Sequence, residues 1–340
     1  MQIVDYAYEE KYIAEYAELI KNIYETQPIF AKSKAYEVSK MFNRNNPFLR
    51  FGTWRNFLIK DKGNSVAHIS AIIDRRLPPD IGLVGYFDTV NEAIYADKAF
   101  DTASEFLTKN KKKVIRGPVN LTTWQSFRVS YPEKNPPFLL EPFTRSYYRN
   151  LFEDYGFKRA QNNISTIQRI DQANFDKYEQ EHKKLKEQGF IFDAIDSKSL
   201  SNSLPEIYDL VIKTFRDSWS FVKISFEEFV YNFLSPKITT SLLYIARDKN
   251  KKAVAFFLGA LDAYSGNHKR IILKTMGVLL EYQRLGIARA LFYLVYLRGK
   301  QENVSELIFS TMRTDNETIR NITGRTHNIY REYNVYEMVI

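Results

Sequence analysis

One alternation of apolar and polar positions occurs twice along the chain. Residues 56–74 read as a β-hairpin: the strand Phe57-Leu58-Ile59, the turn Asp61-Lys62-Gly63-Asn64, and a second strand over 66–73 that ends at Asp74. Residues 242–262 read the same way, with Leu243-Tyr244-Ile245-Ala246, the turn Asp248-Lys249-Asn250-Lys251, and a strand over 253–261 that ends at Asp262. Val66 and Val254 stand 188 positions apart, as do Asp74 and Asp262. In each copy a further strand follows, at 83–88 and 271–278, and then a helix, at 93–109 and 287–301. Ala96, Ala99, Phe100, Ala103 and Leu107 share one face of the first helix. Ile287, Ala290, Leu291, Leu294 and Val295 do the same on the second. The expected organisation is two α/β units, at 1–170 and 188–340, joined by the charged helix or linker 171–187.

The candidate chemistry lies where the second copy's strand meets its helix. The apolar strand Ile272-Leu273-Lys274-Thr275-Met276-Gly277-Val278 runs into a short loop, and the helix starts straight after Gly286. A helix N-terminus presents unpaired N–H groups and the positive end of the helix dipole, so a loop wrapped onto it suits a phosphate or diphosphate. Gly286 lets the backbone approach such a ligand closely, and the small Ala288 keeps the next turn open. The bland alternative is an ordinary strand–turn–helix. The loop lacks the Gly-Lys-Ser/Thr of a P-loop and the G-x-G-x-x-G of dinucleotide folds.

Gln283-Arg284-Leu285-Gly286-Ile287-Ala288, with Gly277, Val278 and Tyr282 ahead of it, resembles the Q/R-x-x-G-x-G/A diphosphate loop of the GNAT N-acetyltransferase superfamily. The resemblance implies two tandem GNAT-like units, each a mixed, mostly antiparallel sheet with helices on both faces. It implies acetyl-CoA or another acyl-CoA as co-substrate, held by Met276, Val278, Gln283, Arg284, Leu285, Gly286, Ile287, Ala288 and Arg289. Arg289 reads equally as a surface residue of the helix. Asn316 resembles the asparagine that many of these enzymes set against the pantetheine arm. The tyrosine many of them carry seven residues later, a general acid, is Thr323 here, which leaves Tyr330, Tyr333 or water for that role, or no acid at all. Asp262 is a candidate base at the end of its strand, or a cap on the turn Ala263-Tyr264-Ser265-Gly266. Under the offset of 188, the loop residues 283–286 fall on Tyr95, Ala96, Asp97 and Lys98, so the first unit lacks the loop's glycine and arginine. Its segments Ile115-Arg116-Gly117-Pro118-Val119-Asn120 and Tyr155-Gly156-Phe157-Lys158 resemble the degenerate half of bacterial tandem GNAT proteins.

Composition bounds the rest. With 340 residues, 44% of them apolar, the chain can build two cores. Having no cysteine, it offers no disulfide, thiolate nucleophile or cysteine-ligated zinc, and it has neither a transmembrane-length apolar run nor a signal-peptide pattern. A cytoplasmic location is the expectation. The four histidines are scattered, without a metal-binding spacing, and read as surface or capping residues. A net charge of +9 favours anionic partners, which CoA satisfies in part. The basic residues do not gather into a nucleic-acid block, and the densest run, 109–113, sits where a helix should end. The expected activity is transfer of an acetyl group from acetyl-CoA to a primary amine of a small molecule or protein. Two alternatives stand beside it: a Fem-like aminoacyltransferase using aminoacyl-tRNA, and a non-catalytic CoA-binding sensor or scaffold.

Overall fold

Lys62 (φ 47°) and Gly63 (φ 86°) form the two-residue turn of the first hairpin, and Asp61 pairs with Asn64 across it. Two successive positive φ values match the twist of the flanking strands, which is why a turn this short closes the hairpin. The computed structural model describes residues 1–172, 175–233, 241–266, 269–314 and 328–340. In chain order the elements are β1 (Gln2–Tyr6), α1 (Glu10–Ile23), α2 (Pro28–Met41), β2 (Gly52–Asp61), β3 (Asn64–Asp74), β4 (Ile81–Thr89), α3 (Ala93–Lys109) and β5 (Val114–Gly117). There follow β6 (Val129–Tyr131), α4 (Tyr148–Tyr155), β7 (Lys158–Arg169), α5 (Phe175–Glu187), β8 (Ile191–Ala194), α6 (Leu200–Phe215) and α7 (Phe226–Phe233). The last are β9 (Ser241–Arg247), β10 (Ala253–Leu261), β11 (Arg270–Val278), α8 (Ile287–Gln301), β12 (Glu306–Arg313) and β13 (Asn328–Val339).

The chain forms two compact units. The first comprises Met1–Glu133, Pro142–Asn162 and Tyr333–Ile340; the second comprises Lys134–Glu141 and Asn163–Glu332. In the first, β1, β2, β3 and β4 pair antiparallel in sequence order, β4 pairs parallel with β5, and β5 pairs antiparallel with the end of β13. Alternation sorts β3 between two helix layers. Ala67, Ile69 and Ala71 join the core beneath α3 and α4. His68 faces the other way, its ring stacked on Tyr16 of α1 at 3.6 Å.

The second unit repeats the plan: β8, β9, β10 and β11 run antiparallel, β11 pairs parallel with β12, and β12 pairs antiparallel with β7. Consecutive residues of β10 again face opposite layers, Phe256 against Phe215 of α6 and Phe257 against Phe292 of α8. Each unit is therefore a mixed, mostly antiparallel sheet between helices, as the family resemblance implies.

Three local expectations change. His68 is fully buried rather than superficial. Pro205 followed by apolar spacing at Ile207, Leu210, Val211 and Phe215 predicts a helix that starts near the proline, whereas α6 begins at Leu200, with Pro205 inside it. An Asx turn nucleates that earlier start, as Asp196 Oδ1 accepts from the N–H groups of Lys198 and Ser199. Third, only residues 90–92 separate β4 from α3, whereas residues 279–286 separate β11 from α8. The first unit has no counterpart of the loop, and Tyr95, Ala96, Asp97 and Lys98 lie within α3.

Candidate functional site

The ladder between β11 and β12 runs from Arg270↔Glu306 to Leu273↔Phe309 and stops. β11 continues to Val278, paired on its other side with β10 through Ala255↔Val278. Among the described residues no strand pairs with β11 beyond Leu273 on this side, the edge on which Met276 and Val278 lie. A register shift in β10 between Leu258 and Gly259, whose partners are Thr275 and Leu273, leaves Lys274 as the extra residue at the divergence. Gly277 is required by packing, since a Cβ there would lie 2.6 Å from both Thr214 Oγ1 and Phe256 Cε1.

The loop then folds on itself. Gln283 Nε2 donates to Val278 O (3.2 Å), and Tyr282 donates its hydroxyl to Asp248 Oδ2 (2.7 Å). That hydrogen bond holds the Asp248 carboxyl below the usual carboxylate range. Arg284 (φ 67°) and Gly286 (φ 93°) turn the chain into α8, with Gly286 as the N-cap. Glycine accepts that conformation without strain. The first helical bond is Ala290 N–H to Gly286 O, so the N–H groups of Ile287, Ala288 and Arg289 have no helical acceptor. Gln283, Arg284 and Leu285 are exposed, Ile287 is buried in the core, and Ala288 and Arg289 are half-buried. The loop residues named from the sequence therefore stand together at one helix end. Asn316 and Thr323 lie outside the described residues.

Asp262 and Tyr330 are brought together, with structural partners. Asp262 Oδ1 accepts from Leu139 N–H and Tyr264 N–H, each at 3.0 Å, and Oδ2 lies 3.2 Å from Arg270 Nη2. Arg270 Nη1 donates to the Tyr330 hydroxyl (3.2 Å), which donates to Pro136 O (2.7 Å). Burial pushes the Tyr330 hydroxyl above the ordinary phenol value, with Arg270 opposing. Both residues hold the segment Lys134–Glu141 across the sheet, where Phe138 and Leu139 pack on Ala260, Ile272 and Ile308. Lys274 Nζ ties the same segment by donating to Leu140 O at 2.7 Å.

Two neighbouring residues carry no sequence motif. Ser310, the first residue of β12 beyond the last rung, is 5% exposed, and its Oγ has no hydrogen-bond partner among the described residues. Glu181 of α5 pairs with Arg289 at 3.0 Å. No periodicity marks either one, because each matters only through a neighbour distant in sequence.

In the first unit the corresponding divergence is filled by protein. β4 leaves β5 after Leu83↔Arg116, and the buried Asp88 beyond it accepts from the hydroxyls of Tyr16 (2.7 Å), Tyr24 (3.1 Å) and Tyr148 (3.2 Å). Lys34 Nζ lies 2.8 Å from the same carboxylate. Among the described residues no group of three His, Asp or Glu is placed to hold a metal, and no helix is long and apolar enough to cross a membrane.

No family model matches the sequence, and no curated protein sequence does either. Solved structures do match. A tandem GNAT protein from the clavulanic acid biosynthesis pathway superposes with a TM-score of 0.63 at 10% identity, over 99% of this chain and 98% of that one. A GNAT-related acetyltransferase from Anabaena variabilis gives 0.61 at 7% identity, over 99% of this chain and 73% of that one. A probable N-acyltransferase from Enterococcus faecalis gives 0.59 at 9% identity, over 100% and 73%. The chain therefore has the fold of the GNAT N-acetyltransferases, in two tandem units.

Proposed function

We propose that this chain is an acyl-CoA-dependent N-acyltransferase that moves an acyl group, acetyl foremost, from the thioester to a primary amine in the C-terminal unit. The observation that carries the reading is the divergence of β11 from β12 after Leu273↔Phe309, with β11 then leading through the loop 279–286 into the Gly286-capped start of α8. The N–H groups at the start of α8, with Arg284 and Arg289 beside them, form a diphosphate cradle. Beyond Leu273 the edge of β11, which has no strand partner on that side among the described residues, would take an extended pantetheine arm as it would a further strand. Met276 and Val278 lie on that edge, and Gln283, Leu285, Gly286, Ile287 and Ala288 complete the loop.

When bound, the thioester supplies an activated acyl carbon and a thiolate leaving group. The protein has to align an amine with that carbon, hold the carbonyl oxygen and exclude water. Alignment alone is worth about 7–11 kcal/mol of barrier in well-oriented systems. Backbone N–H groups fixed on a strand stabilise a developing oxyanion without reorganising. One site per chain follows, because the first unit has three residues where the second has its eight-residue loop (90–92 against 279–286).

The test is release of free CoA thiol from acetyl-CoA across a panel of small amines, polyamines and peptide amines. A chain with no cysteine adds no thiol of its own to that signal. Amine-dependent thiol release is the expected result. Tight binding without turnover on any amine would replace this reading with a CoA-binding sensor, and salt-sensitive tRNA binding without CoA binding would replace it with aminoacyl transfer.

A further inference from the structure

The start of α8 already has an anion beside it. A Cβ built on Gly286 would lie 2.5 Å from Glu181 Oε2 and 3.1 Å from Glu181 Cδ. The other oxygen, Oε1, accepts from Arg289 Nη1 at 3.0 Å. The carboxylate therefore stands over the N-cap glycine and holds a cation of the first helical turn. The first turn of α8 contains no acidic residue, and its N-cap makes no side-chain capping bond, so the charge facing this helix end comes from α5.

From this geometry we infer that Glu181 is the residue that sets acyl-CoA affinity: it masks the diphosphate cradle with a stand-in anion and has to turn away before the cofactor enters. The inference rests on the acyl-CoA reading of the loop given above. A carboxylate and a diphosphate repel each other and compete for Arg289, so they cannot both occupy the cradle. Until displaced, Glu181 keeps the dipole end and Arg289 compensated, as an acidic side chain at a helix N-terminus does.

The moving part is the side chain and not the helix. Tyr178 stacks on Tyr296 with ring centroids 5.7 Å apart and planes 13° apart, the His182 ring lies between Phe192 and Tyr293, and Leu185 is 1% exposed. These contacts fix α5 along α8. The Glu181 side chain retains 22% exposure, enough to reach water by rotation. Arg284, exposed and without an ion-pair partner among the described residues, remains available to a diphosphate from the outset.

Titration of acetyl-CoA into the full-length wild type, Glu181→Gln and Glu181→Ala tests the inference. Removing one negative charge a few ångström from a doubly charged diphosphate should tighten binding by about tenfold or more, less at high salt. Gln keeps the size of the side chain and Ala removes it, so a gain in either variant supports masking, and a gain in Ala alone assigns it to bulk. A wild type that binds, with both variants equal or weaker, overturns the masking and leaves the acyl-CoA site standing. No binding by any of the three, to acetyl-CoA or longer acyl-CoAs, overturns both.

Discussion

Arg331 Nε and Glu141 Oε1 lie 2.6 Å apart, and neither side chain has any exposed surface. Arg331 Nη2 also donates to Asn135 O at 2.6 Å, so one guanidinium holds both ends of the short segment Lys134–Glu141. Breaking a buried pair strands a charge, at a cost of about 3–5 kcal/mol, whereas replacing both partners with apolar groups is often near neutral. Glu141→Gln should therefore lower the urea midpoint strongly, and Arg331→Met combined with Glu141→Leu should recover most of the loss. Equal destabilisation by the single and double variants would show that the pair itself contributes little.

Asp262→Asn removes the counter-charge of Arg270 and weakens the acceptor for two backbone N–H groups. The expected effect is a stability loss of about 2–4 kcal/mol, with acyl-CoA affinity unchanged. Denaturation and cofactor titration on the same variant separate the two. A variant of normal stability whose turnover alone collapses would make Asp262 a working base.

His68 gives the fold an acid-sensitive point. Its Nδ1 lies 2.7 Å from the Tyr86 carbonyl, which can only accept, so Nδ1 carries the proton and Nε2 accepts from the Tyr6 hydroxyl at 2.9 Å. Burial pushes this imidazole down to about 3, against an ordinary 6.5. Between those values the unfolded chain binds a proton that the folded one does not. The stabilisation is complete above pH 6.5 and is lost as pH falls towards 3, at up to about 1.4 kcal/mol per unit. Urea midpoints at pH 7.5, 6, 5 and 4 should drop less for His68→Gln than for the wild type. Parallel slopes would remove His68 as the cause.

Ser310→Ala separates function from stability. A buried hydroxyl without a partner costs stability, so its removal should leave the fold unchanged or firmer by about 1 kcal/mol. If that hydroxyl is kept for a bound acyl group or amine at the divergence of β11 and β12, thiol release should fall about tenfold in the firmer variant. Unchanged turnover would assign Ser310 no part in binding.

Features set by short-range chemistry were legible in the sequence. The turn at Lys62 and Gly63, the apolar stripes of α3 and α8, and the glycine that starts α8 each follow from a few adjacent residues. Features set by distant partners were not. Lys134–Glu141 reads as an unremarkable Pro-Pro loop, and its place in the second unit depends on Asp262, Tyr330 and Arg331, more than 120 positions away. His68 could not be read as buried because the ring that covers it belongs to α1. A constant offset of 188 cannot register a difference in connection length, so it sets the loop residues 283–286 against Tyr95, Ala96, Asp97 and Lys98 of α3 rather than against the three-residue connection 90–92. Glu181 looked like one charge in a solvated helix, yet it stands over the most recognisable glycine of the chain.

Isothermal titration with acetyl-CoA of the wild type, Glu181→Gln and Gly286→Glu tests the acyl-CoA site most directly, with thermal melts to confirm folding. Gly286→Glu places a second carboxylate where a Cβ would lie 2.5 Å from Glu181 Oε2, at a φ of 93° that side chains rarely adopt. Binding by the wild type, tightened in Glu181→Gln and abolished in a folded Gly286→Glu, is the expected result. Absence of binding in both the wild type and Glu181→Gln, or undiminished binding in Gly286→Glu, would contradict it.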